Sequence, residues 1–201
     1  MRARESSEAP NEGQPEASHL VIRFSDVLSG VATIAEHQRV IARSKAVWMA
    51  KFGRGLSPAK MNALGRQIKR GIATYVFLVT RCHAEYAWYR GTLLDMASEP
   101  PERETGLIPE YYQREGMMLS VSRASLWLKL GDLWPASSSH VSSLHVISSG
   151  RHISEALHGS MAGMFLVQEG MPARLAIRRR QTPSGRASFE KHVLNAFEDD
   201  D

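Results

Sequence analysis

Two strand-like stretches of this chain place an indole and a cation two residues apart: Trp88 with Arg90, and Trp127 with Lys129. On an extended backbone side chains alternate between faces, so each pair shares one side of its strand. Within residues 86–95 that face carries Tyr86, Trp88, Arg90 and Thr92. Within 125–130 it carries Trp127 and Lys129, while Leu126, Leu128 and Leu130 point to a core. A third tryptophan, Trp48, leads into Lys51-Phe52-Gly53-Arg54-Gly55. Nucleic acid wants this mixture, because a base stacked on a ring gains about 1–3 kcal/mol while Lys or Arg neutralises the backbone. Several rings converging on one pocket would also hold a single extruded base, a modified one included. The competing reading for each ring is burial, since tryptophan commonly fills a core with its N–H satisfied locally. A cation on the same face is awkward to bury. The pairs therefore predict an accessible surface on which Trp127→Ala lowers affinity without unfolding the chain.

A second group could meet phosphate. Ser148, Ser149, Gly150 and Arg151 precede a helix expected near Ile153, where free amides and the helix dipole favour an anion. The alternative is that these serines merely cap the helix. The glycine segment at Lys51 to Gly55 is basic but lacks the spacing G-x-x-x-x-G-K-[ST] of a P-loop. Catalysis finds little support. Cys82 and His83 are adjacent on an expected turn, where neighbouring side chains diverge, so they make a poor nucleophile–base pair. The eight histidines are scattered, with no HExxH spacing, and His37 falls on an apolar helical stripe that suggests a core position. No catalytic residue, metal set or cofactor is expected.

Charge adds direction. The net charge is +4, yet no acidic residue occurs between Glu36 and Glu85, where ten Lys and Arg are found. From Glu85 to Glu115 the balance reverses, with seven carboxylates against Arg90, Arg103 and Arg114. So long an acid-free run predicts a positive potential over part of the folded surface, and polyanions are its commonest partners. The other outcome is that the basic segment packs beside the acidic one and only aids solubility.

The elements that must position these residues follow from periodicity. The chain has 201 residues and 43% hydrophobic content, enough for one domain. Residues 1–18 read as a disordered tail without a secretory signal, and no apolar run is long enough for a membrane span. With one cysteine, no internal disulfide can form, and a reducing, cytoplasmic setting is expected. The body spans 19–169. It opens with a strand at 19–24, then a helix whose Thr33 and Glu36 have capping-box spacing. A strand at 46–50, a helix begun by Ser57-Pro58 and stopped by Gly71, and a hairpin over 74–95 follow. A short helical candidate at 109–114, strands at 122–130 and 144–147, a helix from Ile153 and a strand at 164–168 complete it. Residues 135–143 read as serine-rich loop. Residues 170–201 form a basic-then-acidic tail with Arg178-Arg179-Arg180 and a short helical candidate at 189–197, suited to a protein partner. The fold class is α+β: a small, curved, mostly antiparallel sheet or barrel with flanking helices.

This order of elements, with a Trp48-bearing segment after the first helix and tryptophan-rich strands, resembles the PUA-like superfamily, which includes the EVE, ASCH and YTH domains. The ASCH signature G-x-K-x-x-E-x-R is absent. The resemblance covers about 19–169 and implies a pseudobarrel that reads RNA or DNA, often through a modified base in an aromatic pocket. It makes Trp48, Trp88 and Trp127 the candidate walls, and it implies a bacterial restriction or defence setting. The expected function is thus a non-enzymatic nucleic-acid-binding module using Trp48, Lys51, Arg54, Trp88, Arg90, Trp127 and Lys129, with Ser148, Ser149, Gly150 and Arg151 on phosphate. The alternative is a protein-interaction or assembly subunit acting through residues 170–201.

Overall fold

The computed structural model describes residues 17–26, 30–83, 85–114, 117 and 121–170. The tail expectations for 1–16 and 171–201, including the arginine cluster and the helix at 189–197, lie outside the described residues. Strands β1 (Ser18–Arg23), β2 (Val47–Lys51), β3 (Tyr75–Cys82) and β4 (Glu85–Ala97) are interleaved with helices α1 (Thr33–Ser44) and α2 (Pro58–Lys69). After two 3-10 turns, at Glu102–Leu107 and Glu110–Gln113, come β5 (Leu126–Leu130) and β6 (Trp134–Pro135). Helix α3 (Ser138–Ser142), β7 (Leu144–Val146), α4 (Ile153–Gly159) and β8 (Met164–Glu169) follow. The sheet runs β2-β5-β4-β3-β1-β8-β7, with β6 added beside β4. Only β1 and β3 are parallel, joined through α1, β2 and α2; every other pairing is antiparallel. The α+β class is therefore observed, as an open, mostly antiparallel sheet with helices against it.

The sheet curls because β4 does two jobs. Its first half pairs with β3, and after a register shift between Leu93 and Asp95 its second half pairs with β5. A bulge of this kind bends and twists a strand. Gly91 sits at the bend, where a Cβ would lie 2.7 Å from the Asp132 carbonyl, so a side chain is excluded there. The Asp132 carboxylate secures the same spot by accepting from the Thr92 amide at 2.6 Å and the Thr92 hydroxyl at 3.0 Å. Curling brings Leu20, Ile22 and Leu78 of one half against Met49, Leu128 and Leu130 of the other, an apolar interior closed by Val40 of α1 and Leu64 of α2. The opposite face is buried twice over. Val21, Phe77 and Val167 lie beneath Ile153 and Leu157 of α4, and Trp48, Ala50 and Trp127 lie beneath Tyr111, Tyr112 and Met117.

Local expectations mostly locate the elements, with three corrections and two short elements left unread. The strand expected over 122–130 begins only at Leu126, because residues 121–122 are helical. The capping box is not formed: Ala32 is the N-cap, the Asp26 carboxylate accepts the Thr33 amide at 2.9 Å, and Glu36 pairs with Arg39 instead. The loop read over 135–143 holds α3, capped by the Ser137 hydroxyl, which accepts the His140 amide. Its neighbour, the two-residue β6, has no periodicity to betray it, and neither has the 3-10 turn at Glu102–Leu107. Among the described residues, no helix is long and apolar enough to cross a membrane.

Candidate functional site

The alternation read in β5 is correct, but the face opposite its leucines is a second core and not a surface. Trp127 is 0% exposed and Trp48 is 3% exposed. Tyr112 packs edge-on to Trp127 at 6.0 Å between ring centroids, and the Trp127 indole N–H has no partner among the described residues. Trp48 and Lys129 are register partners across β2 and β5. Glu104 ties them together: it accepts from the Trp48 indole and from the Lys129 ammonium, each at 2.6 Å. Those two bonds hold the Glu104 carboxyl below its ordinary pKa, and the ammonium lies 5.8 Å from the Trp48 ring centroid. Neither ring has a face left for a base, and the Lys129 charge is already answered.

Trp88 and Arg90 do share a face, as expected, but on another flank. Trp88 is half-buried against the cluster containing Val79 and Leu157. The Arg90 guanidinium stacks 4.7 Å from the Tyr75 ring centroid, with Nη1 3.2 Å from His140 Nδ1. Trp88 thus belongs to one outer cluster and Trp48 with Trp127 to the other, so no hollow is walled by all three.

The residues from Ser148 to Arg151 form a tight turn whose amides face inward. Ser149 N and Gly150 N both donate to the Val146 carbonyl, at 3.2 and 2.7 Å, with Gly150 at φ 65. The Arg151 amide donates to the Ser149 hydroxyl at 3.4 Å. His152, not a serine, caps α4, its Nδ1 accepting the Ser154 amide at 3.3 Å. The Ser149 and Gly150 amides are therefore already bonded and not free to meet a phosphate. The side chains remain available: Ser148, Ser149 and Arg151 line an open hollow of about 640 Å³ that also receives Lys60 from α2.

An aromatic pocket does exist, built from residues the tryptophan pattern did not mark. It occupies about 370 Å³ where β1 and β2 end. Its rings are Phe24, Phe52, Tyr111 and Tyr112, and its cations are Arg23 and Lys51. That size is at the lower end of the roughly 300–1,000 Å³ typical of small-ligand pockets. A buried polar chain sets its floor. The Tyr112 hydroxyl accepts the Ala50 amide at 3.0 Å and lies 3.3 Å from His37 Nε2, while His37 Nδ1 is 2.7 Å from the Thr33 carbonyl. Burial lowers His37 to about 4, so the imidazole is neutral and suits a donor Nδ1–H with an acceptor Nε2. Burial also raises both tyrosines, keeping their hydroxyls protonated. The Lys51 ammonium donates to the Phe52 carbonyl, and burial lowers its pKa. Of the expected cations, Lys51 thus lines the pocket, while Arg54 is exposed in the following bend. The adjacent Tyr111-Tyr112 behind Pro109 was the available signal, hidden in a stretch read only as a short helix.

A third hollow of about 400 Å³ adjoins these, lined by Arg23, Arg81, Tyr86, His158 and Met161. Arg23 belongs to both this hollow and the aromatic pocket, and its guanidinium donates to the Leu157 carbonyl. Gly159 and Ser160 are common to the second and third hollows. No carboxylate among the described residues lines any of the three. Among the described residues, Arg23, Lys51, Lys60, Arg81 and Arg151 make no ion pair. This chain matches no protein-family model, no curated protein and no solved structure.

Proposed function

We propose that this protein is a nucleic-acid-binding module that takes one extruded base against the partly exposed rings of Phe24 and Phe52, in the pocket whose floor is the buried Tyr111 and Tyr112. The carrying observation is the run of three adjoining hollows, one of them aromatic, lined among the described residues by five Lys and Arg side chains and no carboxylate. Rings supply a stacking surface for a planar base, and the cations would neutralise the phosphates on either side. The side chains of Lys60, Arg151, Ser148 and Ser149 extend this track away from the pocket. The resemblance to PUA-like readers supports the same reading and extends it to a modified base in a restriction or defence setting.

Binding of labelled DNA and RNA oligonucleotides across a salt series tests the proposal. Affinity should fall steeply with salt, and the double substitution Lys60→Ala with Arg151→Ala should flatten the log–log slope by about 1.4–1.8, two phosphate contacts' worth. Phe52→Ala should weaken binding at every salt concentration while leaving that slope unchanged. Absence of binding to either polymer, or affinity indifferent to salt, overturns the proposal.

A further inference from the structure

The loop between α4 and β8 lines the second and third hollows, and its tip carries an apolar side chain with nothing to cover it. Met161 is 98% exposed, so nearly all of its thioether arm projects beyond its neighbours. The flanking residues are Gly159, Ser160, Ala162 and Gly163, small enough for a polymer to approach the backbone closely. The Ser160 hydroxyl accepts the Ala162 amide at 3.0 Å, which folds the loop so that Met161 sits at its turn. On one side Gly163 anchors the loop to the base pocket. Its carbonyl accepts the Arg23 amide at 2.9 Å, and a Cβ there would lie 3.6 Å from Lys51 Nζ. Two residues span at most about 7 Å of chain, so the Met161 backbone lies within that reach of Gly163 and of its contacts with Arg23 and Lys51. On the other side it lines the hollow with Arg23 and Arg81.

We infer that the partner is a base-paired duplex and that Met161 is the wedge that enters its stack where the base has left. The inference rests on the base-extruding reading above. Removing a base from a duplex leaves an apolar gap and costs a few kcal/mol of unstacking, which an inserted apolar side chain helps to offset. An unpaired strand presents no such gap, so the wedge distinguishes the two forms. The cations around the loop hold the phosphates while the side chain inserts.

The test uses the full chain with 2-aminopurine beside the target base, in DNA and RNA duplexes and in the same strands unpaired. Wild type should raise the 2-aminopurine fluorescence of the duplex it binds more tightly. Met161→Ala should bind that duplex about tenfold more weakly, a 1.4 kcal/mol loss, and show a smaller fluorescence gain. Its single-strand affinity should be unchanged, and Met161→Leu should restore both duplex readouts. Equal duplex binding by wild type and Met161→Ala overturns the wedge, as does an equal loss on duplex and single strand. Wild type that binds single strands but no duplex overturns the wedge and leaves the base pocket standing; wild type that binds neither overturns both.

Discussion

The outer face of β2 and β5 and the loop end around residues 160–163 both combine aromatic rings with cations, yet they do opposite things. On the first, Glu104 reaches Trp48 and Lys129 from 56 and 25 residues away and neutralises the Lys129 ammonium, and tyrosines seal the indoles. At the second, Arg23, Lys51, Lys60, Arg81 and Arg151 line hollows with no carboxylate among the described residues, and the rings of Phe24 and Phe52 line open space. Residue type is therefore a poor guide to accessibility. The arrival of a distant counter-charge separates a covered pair from an available one, because it removes the cost of keeping the cation near the core.

The sharpest way to break this contrast is Trp127→Ala. A fully buried ring replaced by a methyl group should cost about 3–5 kcal/mol in denaturant unfolding, while the remaining folded protein keeps its oligonucleotide affinity. A stable variant with reduced affinity would mean that the covered face is the working one. Acid comes next. Burial lowers both His37 and His19 from 6.5 to about 4, so between these pH values the unfolded chain takes up protons that the native state refuses. Stability is then complete above about pH 6.5 and falls as the pH drops toward 4, with His37 contributing about 2 kcal/mol of the loss between pH 7 and 5. Urea midpoints should decline over that range, and His37→Asn should flatten the decline by that share, His19 supplying the rest. The smallest effect is expected from Glu104→Gln. This partly exposed carboxylate pairs in contact with solvent, so the cost should stay under about 1 kcal/mol. Oligonucleotide affinity should barely move. A large rise would show that Glu104 had been masking a usable Lys129.

Part of the molecule is visible before any tertiary contact is known. The β-branched and aromatic run of β3, Pro58 at the first position of α2 and Gly71 just beyond its end are local signals, and each marks the element observed. So is the division of β5 into leucines on one side and Trp127 with Lys129 on the other. Less is legible where a partner comes from afar. The side chain that accepts the Thr33 amide at the start of α1 is Asp26, seven residues back, and not a residue of the helix itself. The pocket rings converge from the residues just after β1 and β2 and from a 3-10 turn, which carry no common spacing. The amides of Ser149 and Gly150 could be assigned only once their bonds to Val146 were known.

The sequence by itself determined which side chains share a face of each strand, where several helices begin and stop, and that a long basic stretch lies free of acids, since backbone geometry and chain connectivity act over a few residues. Only the tertiary structure decided which faces are covered, which cations meet a carboxylate and where open aromatic space remains. Those outcomes depend on contacts between residues far apart in the chain, whose meeting is set by the curl of the sheet and not by any local pattern.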